Sequence, residues 1–283
     1  MVRPLHSLRR ATVVAALALV IGVLVLGLLQ RRLLYFPERL DEAAALRFAA
    51  DVGAVPWRTG DTAHGWRFPR PDAQAILLAF HGNAGMALER AYMAQALGAA
   101  VDSPGSAGRF EVRVVEYPGF GARSGDPSET SFFSAAEAAF DAAVAESQDT
   151  PRPVFVLGES IGTGAACHLA AVRGQQLAGL ILVTPFDRLA GPAGHHFPWL
   201  PVSLLLRDTF DNSRALERWG GRVAVVLAGR DTVVPAAFGH RLYDAYPGPK
   251  RRWIDPTADH NELPWDRDVA LWREVAAFVR GEP

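Results

Sequence analysis

Short runs of consecutive apolar residues recur along this chain, and segments with apolar residues at helical spacing separate them. Such runs predict strands buried on both faces, because a strand covered by helices on each side shows no alternation of apolar and polar residues. The predicted strands lie at residues 75–80, 110–117, 153–157, 177–183, 223–227 and 252–254. Strands that alternate with helices indicate an α/β domain with a mostly parallel central sheet and helices on both faces.

Other segments complete this pattern. A Thr59-Gly60-Asp61 turn joins two further predicted strands, residues 52–59 and 64–69. Residues 101–109 are rich in Gly, Ser and Pro and predict a loop. Helices are predicted at residues 41–50, 86–100, 131–147 and 268–279.

An uncharged apolar run occupies residues 11–29. A helix of this length would be roughly 28 Å long, which matches the hydrocarbon thickness of a bilayer. A cleaved signal peptide is the alternative, but its apolar core is usually shorter and ends in small residues. This run ends instead in Leu28-Leu29-Gln30-Arg31-Arg32. The sequence therefore predicts an uncleaved, single-pass anchor in residues 1–32 and one domain in residues 33–283.

The orientation of this anchor rests on the arginines around it. Those before the run nearly balance those after it, so the positive-inside rule decides little; they are Arg3, Arg9 and Arg10 against Arg31, Arg32 and Arg39. The free amino terminus favours an amino-terminal end inside the cell, which would place the domain outside the cytoplasm. The aromatic residues of Leu33-Leu34-Tyr35-Phe36-Pro37 either lie at headgroup level or cap the core of the domain.

Composition and charge exclude several classes of partner and cofactor. The chain has 283 residues, of which 49% are hydrophobic, and a formal net charge of −1. Near neutrality argues against a nucleic-acid partner. The single cysteine, Cys167, excludes an internal disulfide and a cysteine-based metal cluster. No G-x-G-x-x-G or P-loop motif is present, so no nucleotide cofactor is expected.

The most informative motif is Gly158-x-Ser160-x-Gly162, which follows an apolar run and precedes good helix formers. A strand, an abrupt turn and a helix in this order expose a serine hydroxyl at the edge of the sheet, as in a nucleophile elbow. Glycine is needed at 158 and 162, because side chains there would collide where strand and helix meet. The alternative is a glycine-rich turn with a surface serine.

A serine hydroxyl becomes nucleophilic only with a base that accepts its proton and a carboxylate that orients the base. In elbow proteins the order along the chain is Ser, Asp or Glu, then His. Asp231 follows the strand at 223–227, and His260 lies in a loop after the last strand. The carboxyl ends of parallel strands meet at one edge of a sheet. Ser160, Asp231 and His260 are therefore the predicted catalytic residues.

Other residues compete for these roles. Asp187, after the strand at 177–183, is the alternative acid, and Asp259 is interpreted as a surface loop residue because it points away from its neighbour His260. His81 is a candidate base or metal ligand, although a role in holding its own loop by hydrogen bonds is favoured. The remaining histidines of the domain and the amino terminus are worse placed: His6, His64, His168 and His240.

Acyl transfer also requires two donors that stabilise an oxyanion. The N–H group of Ile161, directly after the nucleophile, supplies the first. The second is expected from the Gly-rich loop after the strand at 75–80, at Asn83, with Gly82 as the alternative.

The chain resembles an α/β-hydrolase, and specifically the membrane-anchored Bem46-like group of α/β-hydrolase-domain proteins. The resemblance spans residue 33 to the end and rests on His81-Gly82-Asn83-Ala84-Gly85, Glu116-Tyr117-Pro118-Gly119-Phe120-Gly121, Ser124-Gly125-x-Pro127-Ser128-Glu129, Gly158 to Gly164, Gly229-Arg230-Asp231-x-x-Val234-Pro235 and Asp259-His260-Asn261. Glu116 and Phe120 depart mildly from the pattern of the group, and neither belongs to the predicted catalytic residues.

The resemblance implies hydrolysis of esters, thioesters or acyl lipids, and it implies a small cap at the insert of residues 186–216. This insert is apolar, as an acyl chain would require, but its side chains could instead simply pack on the core. Adjacent His195 and His196 diverge and have no visible partner cluster, so no metal is expected. Two alternatives to a membrane-tethered esterase remain: a peptidase of the same fold, and a non-catalytic tethered binding or scaffold protein.

Overall fold

The computed structural model describes residues 29–99, 110–147, 151–266 and 270–282, together with residues 13, 14, 17, 21–23, 25 and 27. Residues 29–34 are helical and lead into the domain. The strands of the domain are β1 (Phe36–Pro37), β2 (Val55–Thr59), β3 (Thr62–Phe68), β4 (Ala75–Phe80), β5 (Ala84–Gly85), β6 (Phe110–Val115), β7 (Val154–Glu159), β8 (Leu177–Val183), β9 (Val223–Ala228) and β10 (Lys250–Asp255).

Helices connect these strands. They are α1 (Glu42–Asp51), α2 (Ala91–Ala99), α3 (Glu129–Glu146), α4 (Gly162–Arg173), α5 (Ala190–His196), α6 (Val202–Leu205), α7 (Asn212–Leu216), α8 (Ala236–Ala245) and α9 (Ala270–Arg280). A 3₁₀ turn at Ala87–Arg90 precedes α2, so the helix predicted from residue 86 begins more tightly wound than expected. The predicted loop at 101–109 lies outside the described residues.

The central sheet has eight strands in the order β10-β9-β8-β7-β4-β6-β3-β2. All neighbours pair in parallel from β10 to β6, whereas β3 and β2 are antiparallel additions at one edge. Separately, β1 and β5 form a small parallel pair. The mostly parallel sheet predicted from the apolar runs is therefore confirmed.

Helices cover both faces of this sheet. Along β4, Ile76, Leu78 and Phe80 belong to one buried cluster with residues of α3, α4 and α8. Leu77 belongs to a second cluster, with residues of α1, α2 and α9. Each fully buried aliphatic or aromatic side chain contributes roughly 1.5–3 kcal/mol, so a strand without polar residues is stable only between two helical layers.

Element ends follow local chemistry. Helix α3 begins at Glu129, before the predicted residue 131, because the Ser128 hydroxyl accepts a hydrogen bond from the Ser131 N–H group at 3.0 Å. Strand β2 begins at Val55 and not at residue 52, because α1 extends to Asp51 and Val52 ends that helix.

Among the described residues, no helix is long and apolar enough to cross a bilayer. Much of the predicted span at residues 11–29 lies outside those residues. Its described members are helical, and their large apolar side chains are exposed, as at Val14, Leu17 and Ile21.

Candidate active site

Ser160 occupies the turn between β7 and α4, with a φ of 53° that non-glycine residues rarely adopt. Such a conformation costs roughly 1–3 kcal/mol and persists only when the surroundings enforce it. Here they do. A Cβ atom on Gly162 would collide with the carbonyl oxygens of Phe80 and His81, and one on Gly158 would come within 2.6 Å of the Gly162 oxygen. The close approach of strand and helix lifts the serine to the edge of the sheet.

His260 lies between Ser160 and Asp231 and is within hydrogen-bond distance of both. Its Nε2 atom is 3.0 Å from the Ser160 Oγ atom, and its Nδ1 atom is 2.7 Å from Asp231 Oδ2. A neutral imidazole with its proton on Nδ1 donates to the carboxylate and leaves Nε2 free to accept the serine proton. The geometry therefore brings together the three side chains that the sequence predicts for the relay.

Backbone N–H groups fix the carboxylate that orients this histidine. Asp231 Oδ1 accepts hydrogen bonds from the N–H groups of Val233 at 2.9 Å and Val234 at 2.6 Å. Because one oxygen is held by the backbone, the other is directed at His260. The Asp231 side chain is almost fully buried, so solvent does not compete for these contacts.

The loop that carries the acid and the loop that carries the histidine are bonded to each other through Asp259. Its carboxylate accepts hydrogen bonds from the Thr232 N–H group at 2.7 Å and the Thr232 hydroxyl at 2.9 and 3.0 Å. Hydrogen bonds from the Thr232 and His260 N–H groups hold the pKa of Asp259 below its usual range. Asp259 lies in a loop, as expected, but it is half-buried, and its role in joining the two loops was not predicted.

The competing residues are engaged elsewhere. Asp187 forms an ion pair with Arg241, at 3.0 Å from Nε to the carboxylate. His168 stacks on Phe133 and contacts Glu137 at 2.8 Å. His64 contacts the Thr59 hydroxyl and His240 contacts Arg252, whereas His6 lies outside the described residues.

The loop after β4 reaches the other side of Ser160. A Cβ atom on Gly82 would lie 3.7 Å from the Ser160 Cβ atom. The Asn83 side chain donates to the Leu34 carbonyl at 2.8 Å. Among the described residues, the backbone N–H groups of Asn83 and Ile161 have no hydrogen-bond acceptor. Both N–H groups are therefore free to act as donors.

His81 lies beneath this loop and is completely buried. Its Nδ1 atom donates to the Gly82 carbonyl at 2.8 Å, and its own carbonyl accepts from the Tyr117 hydroxyl at 3.1 Å. Glu116, also buried, accepts from the Ala87 N–H group at 3.0 Å. His81 thus supports the loop, as favoured from the sequence.

The sequence did not predict the contacts of Arg90, which help to position the catalytic loops. Arg90 donates to Glu159 at 3.2 Å and to the Ala84 carbonyl at 3.0 Å, and so joins the nucleophile turn to the loop after β4. The Tyr92 hydroxyl also donates to Glu159 at 3.2 Å. Burial opposes the charge of Arg90, but Glu159 outweighs it and raises the pKa of the guanidinium. The feature of the sequence that could have indicated this contact is Glu159, a charged residue at the end of an apolar strand.

The insert contains both buried and exposed large apolar side chains. Phe186 and Phe210 are buried in the core, whereas Phe197, Trp199 and Leu204 are exposed.

Within the described part of the chain, no three His, Cys, Asp or Glu side chains converge as a metal site. His196 Nε2 donates to the Val233 carbonyl at 2.8 Å.

Comparison with known proteins adds to this geometry. A family model described as Serine aminopeptidase, S33 matches residues 71–210. The uncharacterized protein Rv2307c of Mycobacterium tuberculosis is 32% identical over 264 residues, which cover 91% of this chain and 90% of that protein. Lysophosphatidylserine lipase ABHD12 of Danio rerio is 28% identical over 151 residues, or 48% of this chain and 39% of that protein.

A solved esterase of Pyrococcus furiosus has a TM-score of 0.58 at 14% identity, covering 87% of this chain and 99% of that chain. The chain belongs to the α/β-hydrolase superfamily. The likeness to the esterase shows the fold alone. Rv2307c, in contrast, is a relative over nearly the whole of this chain. The matched residues 71–210 include Ser160 but end before Asp231 and His260, so the geometry alone brings these three residues together.

Proposed function

We propose that this α/β-hydrolase is a membrane-tethered serine hydrolase that cleaves acyl esters or thioesters through an acyl-enzyme. The observation that carries the proposal is the continuous hydrogen-bonded series from Ser160 Oγ through His260 to Asp231. A buried acid, an oriented imidazole and a strained serine at the end of a strand are the requirements for nucleophilic acyl transfer.

In the proposed reaction, Ser160 Oγ attacks the acyl carbonyl carbon while His260 Nε2 accepts the hydroxyl proton. The N–H groups of Ile161 and Asn83 stabilise the oxyanion, with Gly82 as the alternative to Asn83. The tetrahedral intermediate then collapses, and the imidazolium donates its proton to the departing alkoxide or thiolate. Water, deprotonated by His260, hydrolyses the acyl-enzyme and regenerates the serine.

Two features support an acyl substrate. The insert presents exposed apolar side chains next to His196, which is bonded to Val233 of the loop that carries Asp231. One distant relative is named a lysophosphatidylserine lipase. The exposed apolar side chains in residues 11–29 support the tether, since that run contains no charged residue. The motifs between His81 and Asn261 support an assignment to the Bem46-like group. We further propose that the catalytic domain lies outside the cytoplasm. A reporter fused at Pro283 tests this orientation: alkaline phosphatase activity means outside.

The decisive experiment is labelling of the full chain, purified in detergent, with a fluorophosphonate probe. Wild type should be labelled, whereas Ser160→Ala and His260→Ala should not. Turnover of p-nitrophenyl esters should fall by roughly 10⁴-fold or more in Ser160→Ala. A folded wild type that takes no label would favour the non-catalytic scaffold.

A second candidate is a peptidase, which the family model described as a serine aminopeptidase favours. Leaving-group chemistry separates the two candidates. Matched ester and amide substrates with the same acyl group should differ by a large factor in kcat/KM if the enzyme is an esterase. Equal rates on the two would support the peptidase.

A further inference from the structure

The insert carries a cluster of exposed large apolar side chains. Phe197 is 47% exposed, Trp199 74% and Leu204 83%. The rings of Phe197 and Trp199 lie edge to face, with centroids 6.4 Å apart. We call these three side chains the cap face. Elsewhere in the described domain, exposed aliphatic side chains such as Val172 and Ile254 lie singly on separate elements, which is ordinary for a protein surface.

The cap face is held beside the catalytic residues. His196, which ends α5 and directly precedes Phe197, donates to the Val233 carbonyl. The Val233 N–H group in turn donates to Asp231. One end of the cap face is therefore connected through a single residue to the acid that orients His260.

The other end of the cap face is bonded to the end of the apolar amino-terminal run. Gln30 donates to the Leu205 carbonyl at 3.3 Å and accepts from the Arg207 N–H group at 2.8 Å. Leu29 and Leu33, one turn apart on the same helical stretch, are both exposed. The exposed apolar surface thus continues from the cap face onto the chain that leads to residues 11–29.

We propose that the cap face is seated in the interfacial layer of a lipid bilayer, so that acyl substrates enter the catalytic site from the membrane; this rests on the proposed tether. If the run at 11–29 spans the bilayer, Gln30 lies at its surface, and its bonds to Leu205 and Arg207 hold the cap there. Tryptophan is enriched at this depth, and the exposed Arg32 and Arg207 match lipid headgroups. An interfacial element of this kind is buried roughly 5–10 Å into the headgroup and acyl boundary.

The native thiol does not interfere with a labelling test. Cys167 is fully buried, and burial raises the pKa of its thiol, so it stays unreactive. We would attach an environment-sensitive fluorophore to Trp199→Cys and, separately, to Leu204→Cys in the full chain. Arg218→Cys is the matched control. Arg218 is exposed and precedes β9, so it lies near the amino-terminal ends of the parallel strands, opposite to the ends that carry the catalytic residues.

Each labelled chain is placed in nanodiscs of phosphatidylcholine and phosphatidylglycerol that hold one copy. Lipids brominated near the head of the acyl chain should quench the label at 199 or 204 and leave the label at 218 unchanged. Aqueous iodide should show the reverse. Labels at 199 and 204 that iodide quenches as strongly as the label at 218, on a chain retained in the disc, would overturn the cap proposal and leave the tether standing.

Two further outcomes would also overturn the bilayer proposal. If the label is shielded only in discs that hold two copies, the cap face contacts a second copy of the chain and not the lipid. A chain that does not enter discs at all overturns the tether and this inference with it. Fluorophosphonate labelling of Ser160 is independent of each outcome, so the proposed catalytic activity is judged separately.

Discussion

Arg31 and Asp208 form a two-point ion pair, with Nε and Nη2 of the arginine each 2.9 Å from a carboxylate oxygen. The Tyr35 hydroxyl donates to the same carboxylate at 3.0 Å. Burial, followed by the charge of Asp208, raises the pKa of that hydroxyl, so Tyr35 remains a donor. Because Asp208 belongs to the insert and Arg31 follows the apolar run, this contact connects the amino-terminal segment to the cap.

We expect Asp208→Asn to weaken this connection. The Asp208 side chain is 4% exposed and that of Arg31 is 40% exposed, so the lost charge is only partly screened by solvent. The free energy of unfolding should fall by about 1–2 kcal/mol, which corresponds to a drop of roughly 2–8 °C in Tm for a domain of this size.

Thermal unfolding of the full chain in detergent measures this drop. The matched control is Asp244→Asn, whose carboxylate is 73% exposed and 3.9 Å from Arg252. An equal drop in both variants would show that the contact with Arg31 adds no stability beyond that of a surface pair.

A second prediction concerns the acid. Asp231→Asn should leave the fold intact but lower kcat by roughly 10⁴-fold, because an amide does not hold His260 in the tautomer that accepts the serine proton. Asp187→Asn, which removes only the ion pair with Arg241, should retain near-normal turnover. Ester hydrolysis by both variants decides the matter, and the opposite ranking would assign the acid to Asp187.

A third prediction concerns the contact between the two catalytic loops. Asp259→Asn keeps one oxygen acceptor but loses the charge, so kcat should fall modestly, by up to about 100-fold, through misplacement of His260. Asn261→Ala, an exposed neighbour, should have little effect. Steady-state ester hydrolysis measures kcat in both variants, and an unchanged kcat in Asp259→Asn would exclude a positioning role.

The same carboxylate predicts a dependence on pH. The pKa of Asp259 is lower in the folded protein than its usual value, so the folded state favours the charged form. Its stabilising contribution is therefore present above the usual pKa and is lost as the pH falls through the lowered value. Wild type should lose stability relative to Asp259→Asn over that acidic range, as measured by Tm against pH. Parallel profiles would contradict this account.

A fourth prediction tests the nucleophile turn. Gly162→Ala places a Cβ atom against the carbonyl oxygens of Phe80 and His81, which belong to the rigid end of a central strand. Overpacking of this kind costs about 1–3 kcal/mol or more, and activity should fall with it. Gly220→Ala is the control, because a Cβ atom there has no atom within 4 Å. Equal Tm values for the two variants would show that the turn tolerates a side chain.

A fifth prediction concerns the loop after β4. Asn83→Ala retains the backbone N–H group but removes the bond to the Leu34 carbonyl. The donor should then be less well placed, and kcat should fall by up to about 100-fold with little change in KM. Steady-state kinetics on a soluble ester measure both constants. A change confined to KM would mean that Asn83 acts in substrate binding instead.

Much of the scaffold could be predicted from local pattern. The apolar runs placed β4 and β8 at the residues observed, because strands buried on both faces carry an unbroken signal. The order of Ser160, Asp231 and His260 along the chain was equally informative, since parallel strands deliver their following loops to one edge of the sheet. The ends of elements were less predictable, as at the 3₁₀ turn before α2.

By itself, the sequence determined the α/β class, the nucleophile turn and the three residues that the fold brings together. Only the tertiary structure decided that Asn83 bonds to Leu34, that Arg90 joins Glu159 to Ala84, and that the insert both buries Phe210 and exposes Trp199. The physical reason is that periodicity reports which face of an element is buried. The partner of a single polar side chain depends on loop conformation and on segments far apart in the chain, and these carry no local pattern.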